Sequence, residues 1–219
     1  MPGSEGNNLQ CVGKRLLAIL GYLLVVMAFL FGAACASMPS EPGNLCSIFR
    51  EKTHWYKASK AASKRWGGPI YLPMAIMHQE SSFNAKAKPP MRYFLWIIPI
   101  GRGSSAFGYA QAQNAAWSDY KKEAGSMFSD RDDFSDAVNF IQWYMDKSRR
   151  INGVSKWDAY HQYLNYHEGH GGYSRGTYKN KAWLLDIAAK VDRRAKRYSQ
   201  QYASCKESLD KGGFWRAIF

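Results

Sequence analysis

Glu80 stands at the end of an apolar stretch, Ile70-Tyr71-Leu72-Pro73-Met74-Ala75-Ile76-Met77-His78-Gln79, and is followed by Ser81-Ser82-Phe83-Asn84. A glutamate in this place either faces solvent at a helix end or sits partly desolvated against the apolar run. Desolvation disfavours the carboxylate and lifts its pKa from about 4.3 toward neutrality. At the C-terminal end of a helix the dipole opposes negative charge and pushes the same way. A carboxyl that keeps its proton near pH 7 can act as a general acid.

The downstream residues weigh toward the desolvated reading. Glu80-Ser81-Ser82-Phe83-Asn84-Ala85-Lys86-Ala87, then Gly108-Tyr109-Ala110-Gln111-Ala112, then Tyr166-His167-Glu168-Gly169-His170-Gly171 follow one another along the chain. They resemble, in order, the E-S-x-F-x-x-x-A, G-L-M-Q-apolar and Y-N-A-G-x-G motifs of lytic transglycosylases with a goose-lysozyme-like SLT domain. Each motif alone is short enough to arise by chance, and three in the family's order make one signal, spanning Pro69 to Gly172.

The resemblance implies a mainly α (α+β) fold, a lysozyme-like two-lobed helical domain around a cleft. It also implies cleavage of the MurNAc–GlcNAc β-1,4 bond of peptidoglycan. Protonating a glycosidic oxygen needs one acid, and Glu80 takes that role. In this family no second carboxylate attacks: the muramoyl N-acetyl group assists, and the same glutamate then removes the C6 hydroxyl proton to leave a 1,6-anhydromuramoyl end. No cofactor and no metal are implied, and no C-x-x-C or His/Cys cluster suggests a zinc site.

The matching positions then carry expected roles in binding substrate. Ser81 hydrogen-bonds near Glu80 or the substrate N-acetyl, or else caps a helix. Gln111 exchanges hydrogen bonds with the sugar amide. Tyr109 replaces the family's Leu and serves packing or the cleft. The Tyr166 hydroxyl approaches the catalytic carboxyl or the N-acetyl group. His167 stands where the family has Asn, and Glu168 where it has Ala. These two either turn toward solvent or a neighbouring helix, or Glu168 is a second carboxylate that activates water in an inverting muramidase. His78 is read as a packing or solvent residue.

Lys14-Arg15 precede an apolar run from Leu16 to Phe31 that leads into Gly32-Ala33-Ala34-Cys35. This is the layout of a secretory signal, with an uncleaved anchor as the alternative although the apolar core is short for a spanning helix, and its last four residues resemble a lipobox, with Gly32 departing from the usual larger residue. Residues 1–34 are therefore read as a lipoprotein-type signal peptide, Cys35 as the lipidated residue, and 35–45 as a tether. Residues 46–205 form the transglycosylase domain and 206–219 a C-terminal tail. The expected location is the periplasm of a bacterial envelope, lipid-anchored to the outer membrane. With Cys11 removed and Cys35 acylated, Cys46 and Cys205 remain as a disulfide pair in an oxidising compartment.

The formal charge is +13, and removal of residues 1–34 takes away Lys14, Arg15 and Glu5 to leave +12. Outside the cytoplasm such a charge suits peptidoglycan carboxylates or anionic lipid. No nucleic-acid signature accompanies it, so nucleic acid is not an expected partner.

Apolar periodicity predicts helices over 46–66, 69–79, 114–124, 132–151, 156–166 and 180–202. Residues 89–103, Pro89-Pro90 through Gly101-Arg102-Gly103, are β-branched and aromatic between breakers, which predicts a strand or hairpin. The family's segment there is shorter and more polar, so these residues read as an insertion near the cleft, packed on the domain or exposed as an apolar flap. Two other functions fit the same residues: a hydrolytic muramidase pairing Glu80 with Glu168 or Asp119, and a non-catalytic peptidoglycan-binding lipoprotein of an envelope-spanning secretion complex.

Overall fold

The computed structural model describes residues 37–95 and 97–215. The expected signal peptide 1–34 and Cys35 lie outside them. Asn44 opens the first helix, α1 (Leu45–Glu51), its side chain accepting from the Cys46 and Ser47 amides, as an N-cap does. The single helix expected over 46–66 is two. Lys52, at φ −112° and ψ 68°, breaks it before α2 (Thr53–Trp66), and Ile48 and Phe49 before the break are buried together with Trp55 and Tyr56 after it. Gly67 then ends α2 at φ 67°, a left-handed cap that glycine adopts without strain.

Helix α3 (Tyr71–Ser81) is buried from Leu72 through Met77, as expected of a helix apolar on all sides. Pro73 lies in its first turn, where a missing amide hydrogen costs nothing. The remaining helices are α4 (Asn114–Glu123), α5 (Phe134–Asn152), α6 (Ala159–Ser174) and α7 (Ala182–Trp215). Helix α5 packs on α2, α3, α4 and α6, while α7 lies along α1, α3 and α6. Trp55 of α2 stacks flat on Phe134 of α5, ring centres 4.1 Å apart. The strands β1 (Met91–Phe94) and β2 (Ile98–Arg102) form one antiparallel hairpin. The fold is mainly α with a small sheet, as the sequence implies.

Two helices run further than periodicity indicates. Helix α6 begins at Ala159 on an Asp158 cap and continues to Ser174 across a kink at Gly169, φ 73°. Helix α7 continues past 205, and there Asp210 accepts from the Tyr56 hydroxyl at 2.7 Å and pairs with Lys60. Residues 206–215 are thus helix, anchored on α2, where a tail was expected. No helix among the described residues is long and apolar enough to cross a membrane.

A disulfide joins Cys46 of α1 to Cys205 of α7 across 159 positions, Cα atoms 6.0 Å apart. In the chain-entropy view, closing so long a loop stabilises by up to about 5 kcal/mol, and loss of native disulfides typically costs about 2–5 kcal/mol. The Cys46→Ala/Cys205→Ala protein is accordingly expected to unfold in urea with a free energy lower by that amount. A midpoint unchanged from the oxidised wild type would show that the clamp contributes nothing.

Candidate active site

Glu80 is the penultimate residue of α3, and the loop 108–112 is hung beside it from three directions. The Gly108 amide donates to the Ala87 carbonyl at 3.0 Å and the Tyr109 amide to the Arg131 carbonyl at 3.2 Å. The Ser81 hydroxyl meets the Tyr109 carbonyl at 2.7 Å. Ser81 thereby fastens the second motif to the end of α3. Of the roles expected of Ser81, near Glu80, at the substrate N-acetyl or at the helix end, the described contacts are those of a strut, its hydroxyl lying against the Met77 and Tyr109 carbonyls.

Of the two places expected for Tyr109, packing or the cleft, the structure gives packing. Its ring lies in the core, 2% exposed, edge-on to Trp55 and Phe134 at 5.6 and 5.7 Å. The larger ring is accommodated at this position because those two aromatics form a slot for it. Gln111, at φ 47°, lines the cleft. Its amide nitrogen donates to the Ala87 and Gly108 carbonyls, both at 2.9 Å. With both donors used, the side chain offers a sugar only its carbonyl oxygen.

The cleft itself encloses about 570 Å3, with Glu80, Gln111, Tyr166, His167 and Glu168 among its lining residues. Its two carboxylates are held in opposite states. Burial pushes Glu80 up to about 7, with the Tyr163 hydroxyl pulling weakly the other way. Glu168 is drawn down to about 2 by Lys181, Thr177 and His167, against the cost of its burial. Lys181 Nζ lies 2.8 and 2.9 Å from its two oxygens, and the Thr177 hydroxyl donates to one of them. Asp119 is exposed on α4 and does not line the cleft. Among the described residues no cluster of His, Cys, Asp or Glu is placed to hold a metal.

Tyr166 lines the cleft, but its hydroxyl donates to the Ala110 carbonyl at 2.5 Å. The hydroxyl that acts on the Glu80 carboxyl, lowering its pKa against burial, is that of Tyr163, one turn earlier on α6. In the sequence Tyr163 is one of the apolar residues of the helix expected over 156–166. Its i, i+3 spacing from Tyr166 puts both rings on one helix face, and that spacing is the signal by which it could have been found. His167 is exposed, its Nδ1 3.2 Å from Glu168 and its ring edge-on to Trp183. His78 is lowered to about 4 by burial and by Arg194, so it is neutral at pH 7 and packs on Phe83.

This electrostatic arrangement sets an expected pH profile. A general acid works protonated, so with Glu80 at about 7 turnover falls as pH rises through 7, about tenfold between pH 6 and 8. Tyr163→Phe removes the hydroxyl that favours the charged form. Its alkaline limb is expected at higher pH than that of the wild type, even as turnover drops. A limb that stays in place, or moves down, would separate Tyr163 from the carboxyl.

Over residues 22–205 the chain matches the family described as transglycosylase SLT domain. No curated protein matches it.

Proposed function

Because the chain belongs to the family of transglycosylase SLT domains, we propose that it cleaves the MurNAc–GlcNAc bond of peptidoglycan non-hydrolytically, leaving 1,6-anhydromuramoyl ends. Membership carries lytic transglycosylase-type activity on peptidoglycan in general. The product and the biological role are the proposal.

The observation that supports the product is the state of the two carboxylates. Glu80 can give its proton to the leaving oxygen and, once ionised, accept the C6 hydroxyl proton, because a group titrating near 7 serves as both acid and base. Glu168, held at about 2, is too weakly basic to activate water well, and its oxygens are already engaged by Lys181 and Thr177. The hydrolytic muramidase is therefore the weaker reading. Gln111 offers its carbonyl to a sugar amide, and Tyr166 steadies the loop that carries it. No cofactor enters the reaction.

The setting we propose is the periplasm, with Cys35 lipidated and the protein tethered to the outer membrane, where it remodels the wall or opens it for an envelope-spanning complex. The leader's layout and the clamp between Cys46 and Cys205 support an oxidising compartment.

Mass spectrometry of muropeptides released from purified sacculi tests the reading. Anhydro ends are expected. Reducing ends would make it a hydrolase, and no release beyond the Glu80→Gln protein would make it a binding module. On the same sacculi, Tyr166→Phe is expected to cut turnover several-fold, the worth of one oriented hydrogen bond. Glu168→Ala should keep turnover within threefold while losing about 1–3 kcal/mol of stability with its ion pair. A crippled Glu168→Ala beside an active Tyr166→Phe would reverse the mechanism.

A further inference from the structure

The hairpin β1–β2 leaves a run of large apolar side chains exposed. Tyr93, Leu95, Ile97, Ile98 and Ile100 are 54–80% exposed. The strands bond to each other, with a bulge between Arg92 and Tyr93, and they make no substantial packing on any described helix. Successive strand residues point to opposite faces. Tyr93 is paired with Pro99, next to Ile98, so Tyr93 and Ile98 cover opposite faces while Leu95 and Ile97 form the tip.

A partner docked on one face of the hairpin would leave the other face and the tip bare. A hydrocarbon layer covers all of it. The base of the hairpin has the opposite character. No acidic residue lies between Glu80 and Asp119, whereas Lys86, Lys88, Arg92 and Arg102 do. Lys86 pairs with Asp132. Lys88, Arg92 and Arg102 are exposed and have no carboxylate partner among the described residues. Apolar residues at the tip with cations behind them match the layering of an anionic bilayer, acyl chains below headgroups.

We propose that the hairpin inserts its tip into the surface of an anionic phospholipid membrane, making a second membrane contact that does not depend on the N-terminus. The consequence for the cleft is geometric. Pro89 and Ser104, at the two roots of the hairpin, line the cleft that holds Glu80. A five-residue strand spans about 17 Å, so an immersed tip sets the cleft mouth about that far from the lipid. Glycan lying close against a membrane would then be the strand presented to Glu80.

The full chain is the material for the test, with an environment-sensitive fluorescent amino acid at Ile97 or, as control, at Phe128. Phe128 is 87% exposed outside the hairpin. Neither side chain is packed, so both proteins are expected to keep the wild-type unfolding temperature. On vesicles rich in phosphatidylglycerol the Ile97 dye is expected to shift to the blue and to be quenched by spin labels on the acyl chains. The Phe128 dye should do neither, even if an N-terminal anchor holds both proteins on the vesicle. Vesicles of phosphatidylcholine alone, or 0.5 M salt, should reduce the Ile97 response several-fold, because headgroup attraction is screened. An Ile97 dye that stays in water on anionic vesicles overturns the proposal. So does one that shifts only on sacculi, which indicates a wall component, or only with rising protein concentration, which indicates a second copy of the chain.

Discussion

Glu80→Gln is expected to lose about 10²- to 10⁴-fold in cleavage of sacculi, the usual worth of general acid–base catalysis, while still binding them. The amide keeps the shape of the side chain and lacks the transferable proton. The same substitution is expected to stabilise the protein, and the pH at which it does so follows from the direction of the shift. In the folded protein the group titrates near 7, above its ordinary 4.5, because burial opposes the charge. Stability linked to this group is fully present below pH 4.5 and is lost as pH rises through 7. Glutamine is neutral throughout and does not incur that loss. At pH 8 the variant should unfold about 1–3 kcal/mol later than the wild type, and at pH 4.5 the two should coincide. Urea unfolding at both pH values measures this directly. Activity within threefold of wild type would remove Glu80 from catalysis, and equal stability at pH 8 would remove the desolvation on which its role as acid rests.

Gly108→Ala should be among the most damaging single changes that leave the catalytic carboxyl untouched. Gly108 sits at φ 78°, and a Cβ there would lie 2.0 Å from the Arg131 carbonyl oxygen and 2.6 Å from its carbon. Those are backbone atoms and cannot swing aside as a side chain can. The loop must move, and with it go the Gly108 bond to Ala87, the Tyr109 bond to Arg131, the Ala110 carbonyl that receives Tyr166, and Gln111. A loss of about 3 kcal/mol or more is expected, with turnover of the remaining folded protein down at least tenfold from misplaced groups. Gly43→Ala, whose Cβ meets nothing within 4 Å, is the control and should stay within about 0.5–1 kcal/mol of wild type. If the two glycines tolerate alanine equally, the loop is not held as described.

The residues of the chain were enough, by themselves, to determine much of this protein, wherever the controlling physics is local. Apolar spacing marks α3, α4 and α5, because a helix buries residues that recur with its own period. Breakers around β-branched and aromatic residues mark the hairpin for the same kind of reason. The apolar run before Glu80 leaves its carboxyl either solvent-facing or desolvated, and the two motifs downstream tip the reading to the second. Other features were decided only by the tertiary structure, because each depends on a partner far along the chain. Glu168 is ionised and occupied because Lys181, 13 residues on, reaches back to it. Ser81 is a strut because a carbonyl 28 residues away comes within 2.7 Å. Tyr109 is core because Trp55 and Phe134 make a slot for it, and Tyr163 reaches Glu80 only because α6 packs where it does. The hairpin's exposure is of the same kind: its residue types specify a strand pair equally well whether covered or bare, and which of the two it is depends on whether a helix packs on its faces, as no described helix substantially does.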